Sequence, residues 1–221
     1  MVTGAFMSVG DHPKNVSFSP EELAAAVKEA KRQNVPVAAH AHATEGINQA
    51  ILSGVRSIEH GSFINQKSID LMVKHGTFLV PTIYVGDYYA LSGKLREQTK
   101  NDDFYLSFRA SWLQLIGKAH RSGVKIAVGS DLCGPMVEST ICAREFATLI
   151  EAGLTPMAAI KAGTIVGAEL LRWDDRIGSI EVGKIADIIA VLGNPLETIE
   201  ALENPVFVMK DGQIIKNNLG Q

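Results

Sequence analysis

The sequence predicts a mixed α/β fold, in which helices cover a parallel β-sheet and a short antiparallel β segment follows. Short apolar strands alternate with amphipathic helices over most of the chain, which is the pattern of a parallel sheet. From Arg176 onward the chain carries short β segments, and Asp211-Gly212 is typical of a tight hairpin turn. Hydrophobic residues make up 46% of the 221 residues and charged residues 20%, which is ordinary for a globular chain. We therefore expect two regions, residues 1–172 and residues 173–221.

The first helix has the clearest local signal. Ser19-Pro20-Glu21-Glu22 combines a capping box with proline at the first helical position, and it predicts a helix over residues 19–33. Gly54 and Gly76 are expected to end the next two helices, because glycine readily adopts the left-handed conformation of a helix C-terminus. The first half is predicted to contain strands at 35–40, 55–59 and 77–84 and helices at 19–33, 44–53 and 66–75.

The second half continues this alternation and then departs from it. Residues 85–103 carry few clear signals and precede a predicted helix at 104–122. Gly123 opens a predicted strand over residues 124–130. Two helices are predicted at 138–152 and 156–171, the second capped by Thr155-Pro156, and β segments at 186–191, 205–209 and 213–216.

The number of strands limits the architecture. Four full strands precede the β segment, and residues 1–5 resemble a strand stub. A closed eight-stranded βα barrel needs roughly 250 residues. Either the sheet is open and doubly wound, or the chain is part of something larger.

Three polar side chains stand at the ends of three predicted strands. His40 ends one strand, His60 follows the next, and Asp131 follows the strand over residues 124–130. Because the carboxyl ends of parallel strands form one rim, we expect these side chains to converge there. Each has an ordinary structural interpretation, as a hydrogen-bonded strand-end histidine or a turn aspartate. Their coincidence instead favours a site for zinc or a similar divalent ion, which activates water while Asp131 moves the proton.

Composition excludes several classes of partner. The net charge of -3 gives no general attraction to nucleic acid, and no uninterrupted apolar stretch of about 18 residues is available to span a membrane. Cys133 and Cys142 are too few for a disulfide framework. The first residues lack a signal-peptide pattern, so a cytoplasmic location is expected.

Four segments of the chain carry a specific resemblance to a known family. They are residues 37–43 (Val-Ala-Ala-His-Ala-His-Ala), 50–61, 128–131 (Val-Gly-Ser-Asp) and 177–191. The first three look like the fifth, sixth and eighth barrel strands of the amidohydrolase superfamily of metal-dependent hydrolases. The fourth resembles the C-terminal β segment of the small composite β-sandwich of these enzymes. The resemblance is closest to the prolidase and imidazolonepropionase-like branch, which includes zinc-dependent carboxypeptidases, and it implies a partial (β/α)8 TIM-type barrel made of strands five to eight.

The resemblance also implies roles for individual residues. His40 and His60 correspond to histidines that hold one metal ion, and Asp131 corresponds to the aspartate that holds a second ion and shuttles the proton. His42 lies two residues beyond His40, so strand alternation aims both side chains to the same side. It is a further ligand, a partner of a ligand, a substrate contact or an ordinary loop histidine. Tyr84 either contacts substrate or packs as a strand tyrosine. The implied cofactor is a divalent metal, zinc above all, with one or two ions in a complete enzyme.

The family pattern is incomplete in this chain. The His-x-His pair of the first strand and the carboxylated lysine of the fourth have no counterpart in it. We therefore expect the chain to form a homo-oligomer or to pair with a complementary N-terminal half. One functional hypothesis is hydrolysis of C–N bonds in small molecules such as dipeptides, X-Pro peptides or N-acyl amino acids, with imidazolone-type ring amides as the alternative substrate. The other is a catalytically inactive half-barrel with a structural role.

Overall fold

A computed structural model describes residues 1–5, 11–92, 102–131 and 141–220, and it shows a mixed α/β fold. The elements are, in chain order, α1 (Pro20–Arg32), β1 (Ala38–Ala41), α2 (Thr44–Ser53), β2 (Ser57–His60), α3 (Gln66–His75), β3 (Phe78–Val80), α4 (Ile83–Ser92), α5 (Asp102–Arg121), α6 (Ile141–Glu151), α7 (Pro156–Ala162), α8 (Ile165–Leu171), β4 (Ile188–Ala190), a 3₁₀ helix (Ile199–Glu203), β5 (Phe207–Lys210) and β6 (Gln213–Asn217). In the described parts of the chain, no helix combines the length and the apolar character that crossing a bilayer requires.

The parallel sheet consists of β1, β2 and β3 in sequence order. The register pairs His40 with Glu59 and Glu59 with Val80, so the three strands end at nearly the same level. The segment after Gly123 continues this order, because Leu79 donates to the carbonyl of Lys125 at 2.9 Å and accepts from Ala127 at 3.0 Å. The carboxyl ends of these segments therefore form one rim.

Helices α1 to α3 have the local stop and start signals that the sequence predicts. Ser19 and Glu22 form the capping box of α1, and Gly54 and Gly76 end α2 and α3 with φ angles of 94° and 67°. Apolar residues of these helices pack against the sheet, and Ile47, Ile51, Ile58, Ile69 and Leu79 are fully buried in one core. The core fixes the positions of the strands and of their carboxyl ends.

Several predicted boundaries are wrong. The strand predicted at 77–84 ends at Val80, and α4 begins at Ile83 in a region where no helix was predicted. The helix predicted at 156–171 is two helices, α7 and α8, separated at Gly163 and Thr164. The strand predicted at 124–130 contacts the sheet through one isolated bridge, Leu79 to Ile126. Cys133 and the predicted start of the helix at 138–152 lie outside the described residues.

The C-terminal segment forms a separate antiparallel sheet of β4, β5 and β6. Asp211 and Gly212 both have positive φ angles, 50° and 74°, as the hairpin turn predicted between β5 and β6 requires. Several apolar side chains of this segment are exposed, among them Ile180, Val182, Ile189, Leu192, Ile214 and Ile215.

Candidate metal centre

Three histidines converge at the rim of the parallel sheet. His40 lies in β1, His42 directly after it, and His60 at the end of β2. Among the described residues, these three offer ligand nitrogen atoms that all lie within 4.8 Å of one another. The ring centroids are 4.5 Å apart for His40 and His60 and 4.7 Å apart for His42 and His60. Parallel strand register and the two-residue spacing of His40 and His42 together produce this cluster.

The backbone turns sharply at the rim. His60, Thr82 and Asp131 have φ angles of 71°, 51° and 48°, although none of them is glycine. Left-handed conformations of such residues cost of order 1–3 kcal/mol and are concentrated at functional sites.

A chain of hydrogen bonds fixes the orientation of His60. The Thr82 hydroxyl donates to the carbonyl of Pro81 at 2.7 Å, so its oxygen accepts from Nδ1 of His60 at 2.6 Å. Nε2 of His60 lies 2.8 Å from Nδ1 of His40. The opposite nitrogen of His40, Nε2, is buried and has no hydrogen-bond partner among the described residues. Imidazole nitrogens with free lone pairs are what a divalent cation binds.

His42 is held in a similar way. Its Nδ1 lies 2.8 Å from the Ser62 hydroxyl, and its backbone N–H donates to the hydroxyl of Thr3 at 2.7 Å. Metal-binding histidines generally hold their second nitrogen in such a hydrogen bond, which sets the tautomer and the ring orientation. Thr82 and Ser62 were not singled out from the sequence, because hydroxyl residues are common after strands and only the fold shows their partners.

Burial keeps the three imidazoles neutral at pH 7. It lowers the pKa of His60 to about 3 and the pKa of His42 well below its usual range, and the neighbouring histidines add to both shifts. Burial also lowers the pKa of His40, against an opposing effect of the Gly4 carbonyl. Neutral imidazole is the form that coordinates metal. Together with the unpartnered nitrogen of His40, this shows that the residues fit a divalent cation.

Asp131 lies on the same rim but outside the three-histidine cluster. It follows the segment that bridges to β3, and the residue retains an exposed surface. Partial burial of its carboxyl group raises its pKa. Burial raises the pKa of Glu59, and the charge of Asp131 raises it further. The carboxyl groups of Glu59 and Asp131 therefore lie near each other. A direct contact between Asp131 and the ion stays a prediction.

Tyr84 was predicted to end a strand, but it lies in the first turn of α4. The helix begins here because the Glu145 side chain accepts from the backbone N–H groups of Ile83 and Tyr84, at 2.9 and 2.7 Å. The Tyr84 hydroxyl accepts from Arg144 at 2.6 Å, and Arg144 also pairs with Glu203 at 3.1 Å. Arg144 therefore holds the Tyr84 hydroxyl in place. Along the chain, Tyr84 lies two residues after Thr82, which is hydrogen-bonded to His60.

Comparison with known proteins agrees with this geometry. The model of the amidohydrolase family matches residues 1–215. Ochratoxinase of Aspergillus niger is 35% identical over 98% of this chain and 45% of its own length, and imidazolonepropionase of Mesorhizobium japonicum is 30% identical over 79% of this chain and 39% of its own length.

Among solved structures, a Xaa-Pro dipeptidase with methionine bound in its active site is 41% identical, with a TM-score of 0.89 over 98% of this chain and 53% of that one. The chain thus spans about half the length of the relatives it matches, and it corresponds to their C-terminal part. The family match over nearly the whole chain and these similarities show that the chain belongs to the amidohydrolase family.

Proposed function

We propose that this chain carries part of the active centre of a metal-dependent hydrolase of C–N bonds in amides and peptides. The observation that carries the proposal is the convergence of His40, His42 and His60, with ligand nitrogens within 4.8 Å of one another. The named relatives of the chain support the same reaction class, because ochratoxinase, imidazolonepropionase and Xaa-Pro dipeptidase are hydrolases acting on such bonds.

The three imidazoles would hold a divalent ion, for which we propose zinc. A bound ion of this kind polarises a carbonyl group and makes water more acidic. Thr82 and Ser62 keep the rings of His60 and His42 oriented. Asp131 accepts a proton from the attacking water and delivers it to the leaving nitrogen.

For the substrate we propose a dipeptide ending in proline or an N-acyl amino acid. The 41% identity to a Xaa-Pro dipeptidase supports this choice. Tyr84 is the residue for which we propose a substrate contact, because Arg144 donates a hydrogen bond to its hydroxyl and holds it in place. A cyclic ring amide is the second candidate, favoured by the 30% identity to imidazolonepropionase.

We further propose that β1 to β3 and the segment over residues 124–130 are the second half of an eight-stranded βα barrel, followed by a β segment from residue 173. The TM-score of 0.89 to a chain of about twice this length supports this view. The remaining strands and metal ligands would then come from a complementary N-terminal half or from a second copy of the chain. The competing hypothesis is a half-barrel that has a structural role and no catalytic activity.

Metal content and turnover test the proposal together. We expect the purified chain to bind zinc stoichiometrically by elemental analysis, and to hydrolyse methionyl-proline when it pairs with a second copy or with an added N-terminal half. The His60→Gln variant should lose both properties, whereas the control variant His120→Gln, on the distant end of α5, should keep them. Zinc binding without turnover of methionyl-proline, an N-acyl amino acid or a ring amide would favour the structural module. A chain that binds no metal would refute the proposed centre.

A further inference from the structure

A second concave site lies at the opposite edge of the parallel sheet, where the strands begin. A cavity of about 320 Å³ opens where the chain enters β1, β2 and β3. Along β1, its lining residue Val37 and the rim residue His42 are five residues apart, roughly 15 Å in an extended strand. We call this cavity the basic pocket. Its lining includes Val27, Lys31, Val37, Val55, Arg56, His75 and Arg172.

The basic pocket carries an excess of positive charge. Lys31, Arg56 and Arg172 line it, and among the described residues that line it none is acidic. The charges of Glu169 and Asp174 act on Arg56 in the opposite direction, but Glu169 is already paired with Lys125. Burial has the largest effect in lowering the pKa of Arg56, and the charge of Arg172 lowers it further. The two guanidinium groups therefore repel each other.

Among the described residues, neither guanidinium group forms an ion pair, and both donate hydrogen bonds to uncharged oxygen atoms. Arg56 donates to the carbonyls of Glu169 and Leu170, at 2.5 and 3.4 Å, and its guanidinium lies 4.6 Å from the ring centroid of Phe78. Arg172 ends α8 with a φ of 60°, and its Nη1 donates to Asn34 at 3.4 Å. The guanidinium group of Arg56 is therefore preorganised, which lowers the entropic cost of binding an anion.

The floor of the basic pocket is apolar. Val27, Val37 and Val55 contribute to its lining, and Val55 is 4% exposed. Lys31 and His75 lie in the last turns of α1 and α3, where the helix dipole favours basic residues. This preference does not explain an apolar concave surface between these two residues. Apolar walls with a few fixed polar groups are instead the usual composition of a small-molecule site.

We propose that the basic pocket binds a small organic carboxylate, with the carboxylate between Arg56 and Arg172 and an aliphatic body on the valine floor. Guanidinium groups match the planar carboxylate geometry through paired hydrogen bonds. The anion would relieve the repulsion between the two arginines. This site is separate from the three-histidine cluster, and the proposal does not depend on the reaction proposed above.

Binding of a homologous series of carboxylates tests the proposal directly. Acetate, butyrate, hexanoate and inorganic phosphate are titrated into the 221-residue chain at constant ionic strength, and amide chemical shifts are recorded by NMR. The neutral chelator 1,10-phenanthroline is present throughout, so that carboxylate bound to metal does not contribute and the chelator itself supplies no carboxylate. We expect saturable shifts of the pocket residues and an affinity that rises along the series, by up to about fourfold for each buried methylene group.

Two variants separate the proposed site from general charge effects. Arg172→Gln removes an exposed pocket cation and should weaken hexanoate binding about tenfold. Arg32→Gln makes the same charge change at the end of α1, where Arg32 pairs with Glu29 outside the lining, and should leave binding unchanged. Arg56→Gln removes the other guanidinium group of the pocket and should also weaken hexanoate binding. If this variant does not fold, Lys31→Gln replaces it as a second pocket variant on the surface.

Three results would overturn the proposal. They are non-saturable shifts with every probe, equal weakening by Arg172→Gln and Arg32→Gln, and tighter binding of phosphate than of hexanoate without any dependence on chain length. The last result would identify a phosphate site instead of a carboxylate site.

Discussion

Replacing Glu145 with glutamine tests whether a buried carboxyl group holds the start of α4 at a cost in stability. Glu145 is 1% exposed and accepts from the backbone N–H groups of Ile83 and Tyr84 and from the hydroxyl of Thr148. Burial nevertheless raises the pKa of Glu145 from its ordinary value of 4.5 to about 7. The cost of removing the charge from water therefore exceeds the gain from these hydrogen bonds.

The sign and size of the effect on stability follow from the two pKa values. Between pH 4.5 and 7 the unfolded carboxyl releases its proton while the folded one keeps it, so the free energy of unfolding falls as the pH rises. Since one pKa unit corresponds to about 1.4 kcal/mol, the full loss is about 3 kcal/mol. About 2.5 kcal/mol of this loss falls between pH 5 and pH 8.

Urea denaturation of both proteins at pH 5 and pH 8 measures this effect. Glutamine does not titrate, and its amide loses one of the two backbone contacts, so at pH 5 the variant should be less stable than the unmodified chain by about 1–3 kcal/mol. The histidines titrate equally in both proteins and cancel in the comparison. From pH 5 to pH 8 the unmodified chain should lose about 2.5 kcal/mol relative to Glu145→Gln. Equal pH dependence in the two proteins would refute the reasoning.

Three further substitutions test contacts at the centre and in the core. Ser62→Ala removes the hydroxyl 2.8 Å from Nδ1 of His42, and zinc affinity should fall 10- to 100-fold in a chelator competition assay, while an unchanged affinity would contradict the orienting role. Arg109→Gln leaves the buried carboxylate of Asp87 without its cation and should lower the free energy of unfolding by about 3 kcal/mol in urea; a change below about 1 kcal/mol would mean that the pair behaves as a surface one. Gly117→Ala places a methyl group against the backbone carbonyl of Ala152, which follows α6, and should lower the melting temperature. A melting temperature equal to that of the parent chain would show that α5 and α6 can separate at little cost.

The sequence predicted well those elements whose signals are local. The capping box at Ser19 and the glycines at 54 and 76 gave the bounds of α1, α2 and α3 within one residue, because caps act over a few residues of the same chain segment. The start of α4 was missed, because the group that caps it, Glu145, is 61 residues away in the sequence. No local pattern contains such a contact.

The candidate site divides in the same way. His40 and His60 were predicted to meet because parallel strands end at one rim, and the fold places their nitrogens 2.8 Å apart. The sequence left four alternatives open for His42, and only the folded chain brings it to within 4.7 Å of the His60 ring, with Ser62 on its other side. Asp131 shares the rim but not the cluster, a distinction that depends on the backbone turn after residue 130.

The sequence by itself determined that this chain forms helices over a parallel sheet, that histidines stand at the ends of adjacent strands, and that its motifs resemble amidohydrolases. Tertiary structure decided which hydroxyl groups orient the imidazoles, which of their nitrogens lacks a partner, and where positive charge gathers around an apolar floor. The physical reason is one of range. Helix caps and strand alternation depend on neighbours a few residues apart, whereas burial, pKa shifts and hydrogen bonds between elements exist only after the chain has packed.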